Sequence, residues 1–302
     1  MPSLIQICGK EMRVTGRVLR VARLEADAYQ FVDDPEPVLQ ELRASRTRVD
    51  LFTFMQRLPE TKPKFSYRME WDNFAALPVT TFDHWWNEQI GFKARNKAKQ
   101  AEKRKVSIHE VPFSDELVKG IWEIYNESPI RQGEPNTHYG KNLETVYREE
   151  ATFLDSSIFI GAYFEGSLIG FIKMVHDETR TQAGLMNIVS MIRHRDKAPT
   201  NALVAQAVKT CADRGFSYLV YSKFTYGKKR QSSLTEFKER NGFQQIDVPR
   251  YFVPLTGVGQ LALGMGLHKK FTERLPEPLL AKLRELRTAW YSRKSQSVTE
   301  AS

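Results

Sequence analysis

Four groups of residues in this 302-residue chain have types and spacings suited to chemistry. The first is the polar segment NESPIRQGEPNTHYGKN, residues 126–142, framed by Pro129, Gly133, Pro135 and Gly140. Polar side chains on a loop held by Pro and Gly are a common seat of function. Within it, Arg131 is an anion or carboxylate clamp, with Gln132 beside it. His138 and Tyr139 are candidates for proton transfer. The second group is Asn187 and Ser190 in the apolar run LMNIVSMI, where a buried polar group needs a partner. The third is Tyr221, Lys223 and Tyr226, at the end of and just beyond the apolar run YLVY. The fourth is the basic stretch ARNKAKQAEKRK, in which Arg95, Lys99 and Lys103 recur every four residues and share one helix face. A cationic stripe of that kind tracks phosphates, whether of RNA, a CoA tail or a lipid diphosphate; the plain alternative is a solvated helix end.

Other chemistries find no support. The sequence has no GxGxxG, no GxxxxGK[ST], no HExxH and no GxSxG. Cys8 and Cys211 match no zinc spacing, and His176 and His194 have no third ligand nearby, so no metal is expected.

The elements that position these groups alternate. Residues 13–24 read as one strand, 34–45 as a helix with Asp34 as cap and Pro35 in its first turn, and 48–58 as a strand. A loop and a strand centred on 65–71 follow. One long helix starts at Thr81 or Asp83 and runs to Lys105, its second half carrying seven positive charges opposed by Glu102. Then come a strand at 106–113, a helix at 114–128, the polar loop, and a helix at 141–154. A hairpin turns at Glu165-Gly166, and a buried strand covers 183–192. Pro199 opens a helix that Gly215 closes. A strand over 216–224, a short helix stopping at Asn241-Gly242 and a final strand over 244–255 complete the order.

Length suggests two domains of ordinary size, able to bury a core without staples. Hydrophobic residues make up 41% and aromatics 11%, which excludes a mostly disordered chain. No apolar run reaches the roughly 18 to 20 residues of a membrane span. Without a secretory signal and with two scattered cysteines, the chain is expected in the cytoplasm, or at the inner face of the membrane. The net charge of +9 favours an anionic donor or acceptor as partner.

The order from Val106 to Leu255 resembles the GNAT acyltransferase fold. The hairpin FIGAYFEGSLIGFIKMV, the strand LMNIVSMI, the helix from Pro199 into YLVYSKF, and FKERNGF carry that resemblance. The basic ARNKAKQAEKRKV, together with FKERNGF before VPRYFVPL, is similar to the FemAB-like branch, the peptidoglycan-bridge aminoacyltransferases and their relatives. The resemblance implies an α/β chain of tandem GNAT-like units with mixed central sheets flanked by helices. The units are a partial first one at 1–82, a basic connecting helix at 83–105, the acyltransferase domain at 106–256, and an amphipathic helical tail at 257–302. The tail is a candidate for peripheral membrane contact.

The function implied is transfer of an activated acyl or aminoacyl group to an amine; the alternative is a non-catalytic module binding RNA or an anionic envelope precursor. In such folds the strands holding Asn187 and Tyr221 splay apart around the donor carbonyl. There Lys223 would steady the oxyanion, and Tyr226 and Tyr139 would move protons. Arg131, Gln132, His138, Asn187, Ser190 and Tyr221 would line the substrate. Lys197, Thr200 and Asn201 at the helix start, with Arg95, Lys99 and Lys103, would meet donor phosphates. The acetyl-CoA-binding branch carries a Gly-rich turn there, whereas residues 193–203, RHRDKAPTNAL, hold no glycine. No tightly bound cofactor is expected. The donor is acyl-CoA or aminoacyl-tRNA, and a phosphorylated envelope precursor is a candidate acceptor.

Overall fold

The computed structural model describes residues 3–131, 133–225 and 232–268. In chain order its elements are β1 (Ser3–Ile7), β2 (Lys10–Thr15), β3 (Val21–Leu24), α1 (Pro35–Ala44), β4 (Leu51–Met55), β5 (Arg68–Pro78) and α2 (Phe82–His84). A π-helical turn (Trp85–Gln89) leads to α3 (Phe92–Lys103), β6 (Ser107–Val111), α4 (Asp115–Tyr125), β7 (Ile130–Arg131), β8 (Glu134–Pro135) and α5 (Leu143–Glu150). There follow β9 (Ser157–Phe164), β10 (Ser167–His176), β11 (Gln182–Ser190), a 3-10 turn (Ile192–Lys197) and α6 (Pro199–Arg214). Last are β12 (Tyr218–Val220), α7 (Ser233–Arg240), β13 (Gln244–Pro254) and α8 (Gly257–Gly264).

The fold is mixed α/β and falls into two compact units. Unit 1 is Met1–Lys93, Met174–Met186 and Ala207–Lys269; unit 2 is Ala94–Lys173, Asn187–Gln206 and Lys270–Ser302. Both units are discontinuous in sequence, because strands β10 and β11 each give residues to both.

In unit 1 the strands run β1-β2-β3-β4-β13-β5-β12-β11. Mixed pairing is set by β3 with β4 and β11 with β12, both parallel, among antiparallel neighbours. Pairing of β11 with β12 covers Gln182–Gly184 against Tyr218–Val220 and then stops. The core is aliphatic and aromatic, with Phe52, Phe54 and Tyr251 fully buried beside α1. In unit 2 the order is β11-β10-β9-β6, with α4, α5 and α6 supplying the helical layers. The hairpin β9–β10 turns at Glu165-Gly166, both at positive φ (50° and 79°), as the sequence suggested.

Several expected elements differ. The strand over 13–24 is two strands, divided at Gly16, whose φ of 98° turns the chain. The strand centred on 65–71 lies later, at Arg68–Pro78. The long helix is broken at Ile90-Gly91: Gly91 donates its N–H to the Arg240 carbonyl at 2.8 Å, and a Cβ there would stand 3.1 Å from that oxygen. Trp85, wholly buried, donates its indole N–H to the Asn241 carbonyl at 2.9 Å and anchors the π turn. The end of α7 thus sets the break, and helix periodicity alone did not carry that long-range contact. Thr81, not Asp83, caps the first turn, accepting from His84 N at 3.1 Å. The strand over 216–224 shrinks to Tyr218–Val220. Of the tail, residues 257–268 with α8 are described, and the remainder, including the amphipathic stretch expected there, lies outside the described residues. No helix among the described residues is long and apolar enough to cross a membrane.

Candidate active site

Unit 2 builds a buried polar centre from three elements. Glu150 ends α5 and is 1% exposed. Its Oε1 accepts from Tyr125 Oη of α4 at 2.8 Å and from Asn187 Nδ2 of β11 at 2.9 Å. Its Oε2 is buried with no hydrogen-bond partner. Burial pushes the Glu150 carboxyl above its ordinary value, against the pull of Tyr125 and Lys173. It pushes the Tyr125 phenol up as well, and the neighbouring carboxylate adds to that.

Lys173 of β10 is fully buried in the same unit. Its Nζ donates to the carbonyls of Glu150 at 2.7 Å and Thr152 at 2.8 Å, and to Thr152 Oγ1 at 3.1 Å. All three ammonium donors are therefore used, and the side chain clamps the C-terminal end of α5 where helix carbonyls lack partners. Burial lowers its pKa to about 8.

The loop 126–142 closes over this centre through asparagines. Asn136 donates to the carbonyls of Tyr125 (2.8 Å) and Ser128 (2.9 Å), and Asn126 Oδ1 accepts from Gly140 N at 2.8 Å. His138 stacks on Tyr125 with ring centroids 4.1 Å apart. Burial, then Lys141, lowers the His138 pKa. Lys141 Nζ lies 3.4 Å from His138 Nδ1, which must accept since an ammonium only donates. Tyr139 is 48% exposed.

A second constellation occupies the turn between β11 and α6. The Glu127 carboxylate accepts from the backbone N–H groups of Ile192 (2.6 Å) and Arg193 (2.9 Å). Arg131 lies 3.8 Å from Glu127 and donates to the Ser190 carbonyl. Burial lowers the Arg131 pKa, and Glu127 opposes that. Ser190 and Thr200 hydroxyls meet at 2.7 Å. A carboxylate of the chain itself thus holds two amides of the glycine-free turn. Lys197 sits over the Phe164 ring at 4.5 Å and reaches Asp196 at 3.4 Å. Asn201 is half-buried in the first turn of α6.

The expected residues divide between the units. Unit 2 holds Arg131, His138, Tyr139, Asn187, Ser190, Lys197, Thr200, Asn201, Arg95, Lys99 and Lys103; unit 1 holds Tyr221 and Lys223. Gln132 and Tyr226 lie outside the described residues. Lys223 pairs with Asp72 at 2.7 Å. Arg250 joins Asp72 (2.9 Å) to Asp27 (2.8 Å). Burial works to raise the Asp72 pKa, but Arg250 and Lys223 hold it below the usual range. The Tyr221 ring lies under the buried Lys238 ammonium at 4.7 Å. On α3 the buried face is Ala94, Ala98 and Ala101, Lys99 and Lys103 are exposed, and Arg95 is half-buried. Among the described residues no cluster of potential metal ligands forms.

Sequence reasoning missed Tyr125, Glu150 and Lys173 and assigned Glu127 no role. Tyr125 and Glu150 fall in stretches read only as helices, 114–128 and 141–154. Lys173 did carry a signal: it interrupts the apolar run IGFIKMV, where a charge is costly unless paired.

No family profile matches the sequence, and no curated protein matches it. Solved structures do. The C-terminal domain of a protein assigned as a lysylphosphatidylglycerol synthetase from Agrobacterium fabrum is 14% identical, with TM-score 0.56 over 87% of each chain. L-PGS from Bacillus licheniformis is 16% identical, TM-score 0.56, over 83% of each. FemX is 11% identical, TM-score 0.50, over 87% of this chain and 90% of its own. At such identities the likeness is one of fold alone: this chain shares its mixed α/β fold with these proteins.

Proposed function

We propose that the chain transfers an activated acyl or aminoacyl group to an amine, with unit 2 carrying the chemistry. The fold shared with a protein assigned as a lysylphosphatidylglycerol synthetase and with FemX supports a transferase. The observation that carries the site is the buried Glu150 carboxylate tied to Asn187 on β11.

The amine nitrogen attacks the donor carbonyl: a C–N bond forms, the donor ester or thioester bond breaks, the amine loses a proton and the leaving group gains one. The nitrogen becomes positive as it attacks. Asn187, with Nδ2 held by Glu150, offers Oδ1 to the amine N–H and passes on the influence of the buried carboxylate. In its ionised form, which burial makes it reach at higher pH than an ordinary carboxyl, Glu150 favours the developing ammonium from a low-dielectric setting. Tyr125 and Lys173 hold Glu150 and act as positioning residues.

The capped turn favours aminoacyl-tRNA over acyl-CoA, because Glu127 occupies the amides of Ile192 and Arg193. The exposed lysines of α3 suit an RNA backbone. The test is a transfer assay with labelled aminoacyl-tRNA, and separately acyl-CoA, offered with amine acceptors. Transfer that Asn187→Ala reduces supports the reading. Transfer indifferent to Asn187→Ala and Glu150→Gln, or micromolar binding of acetyl-CoA by calorimetry, overturns the site or the donor respectively.

A further inference from the structure

Unit 1 presents a face that its described residues leave uncovered. In α8, Gly259, Ala262 and Leu263 are buried, and Leu263 packs with Leu51, Phe252 and Val21. Val258 (43% exposed), Leu261 (63%) and Met265 (58%) fall at spacings of three and four and share the opposite side. Val18 is 83% exposed at the tip of the β2–β3 turn.

One buried carboxylate gathers these pieces. Asp50 accepts from Arg20 N at 2.9 Å on the β2–β3 turn, from Arg48 Nε at 2.9 Å, and from Thr256 Oγ1 at 2.7 Å, the cap of α8. The first turn of α8 rests on the same residue, since a Cβ on Gly259 would stand 1.9 Å from the Asp50 carbonyl oxygen. Segments 16–20, 45–50 and 256–268 therefore meet at Asp50. They contribute Arg17, Arg20, Arg46 and Arg48, and their one acid is Asp50, buried and engaged.

We propose that this face docks onto an anionic lipid surface, with Val18 and the outer side of α8 entering the headgroup boundary and the arginines meeting lipid phosphates. Aliphatic side chains beside four arginines, with Asp50 buried and Glu70 engaged by His268 at 2.9 Å, fit such a surface. Nucleic acid would call for aromatic platforms, which the face lacks. A twofold pairing with a second copy would set arginine against arginine. The site joins α8, the first helix of the tail, to Val18 and the arginines of unit 1, and it stands whether or not the chain is a transferase.

The test is co-sedimentation of the full chain with vesicles of phosphatidylcholine alone and of phosphatidylcholine with phosphatidylglycerol. Binding to the anionic vesicles is expected, falling with salt. Val18→Ser with Leu261→Ser should weaken it by roughly ten-fold or more, the worth of withdrawing two apolar side chains from water. Arg17→Gln with Arg46→Gln should weaken it by roughly five-fold per arginine. No sedimentation with anionic vesicles overturns the proposal, as does binding that both double variants leave unchanged. A melting midpoint of the Val18→Ser and Leu261→Ser variant that falls without vesicles also overturns it, because the face would then be covered by protein.

Discussion

Glu150 and Lys173 lie in one unit, both buried, and their titrations pull stability in opposite directions. Glu150 has a folded pKa above its ordinary value, so the folded state holds its proton longer and its contribution is lost as pH rises past the usual carboxylate range. Lys173 has a folded pKa near 8 against an ordinary 10.5. Between these values the unfolded chain binds more protons, so this residue makes stability rise as pH goes from about 8 to 10.5. Lys173→Met should flatten that rise in a urea-melt series across the window. It should also lower stability by about 1–3 kcal/mol, since it strips donors from the carbonyls of Glu150 and Thr152. An unchanged slope would mean that Lys173 is charged and solvated in the folded state. Glu150→Gln keeps an acceptor for Tyr125 and Asn187 but removes the charge. Its expected effect is a turnover loss of roughly a hundred-fold at little cost in stability, read as kcat against melting midpoint. A large stability loss with unchanged kcat would reduce Glu150 to a structural group.

The elements show why some of this was legible and some was not. Caps and turns are local, so Asp34 before α1, Pro199 and Gly215 around α6, and Gly166 in the hairpin stood where the residue types placed them. The break at Gly91 depends on Arg240, far along the chain, and Glu127 reaches Ile192 across 65 residues. A linear reading sees Glu127 and the glycine-free turn as separate facts. The structure joins them: the loop after α4 supplies the anion that the turn between β11 and α6 holds. Glu127→Ala should therefore gain a function. With the amides of Ile192 and Arg193 released and Arg131 left without its carboxylate, affinity for inorganic pyrophosphate should rise in calorimetry while the parent protein binds weakly. Equal weak binding by both would show that the turn needs more than free amides, such as glycines that let a phosphate approach.

At the scale of the whole molecule, charge is unevenly spent. Of the residues giving the net +9, a run on α3 and its end is almost uninterrupted, and the described structure turns its lysines outward. The alanine face of α3 is buried, so packing fixes which way the charges point. Arg95 differs from its expected partners: it is half-buried with Nε enclosed, so replacing it disturbs packing as well as charge. The clean variant is Lys97→Gln, Lys99→Gln and Lys103→Gln, three exposed positions. Exposed charges on a helix contribute little to folding, so the melting midpoint should hold. If α3 contacts the backbone of a single-stranded or acceptor-end RNA, each phosphate neutralised contributes about −0.7 to the slope of log K against log salt. The triple variant should then lose roughly two units of that slope, with affinity converging on the parent's at high salt. A slope unchanged in the variant would make these lysines solvating charges alone. The case for an RNA-borne donor would then rest on the Glu127-capped turn, and a donor without phosphates at that turn would fit the structure better.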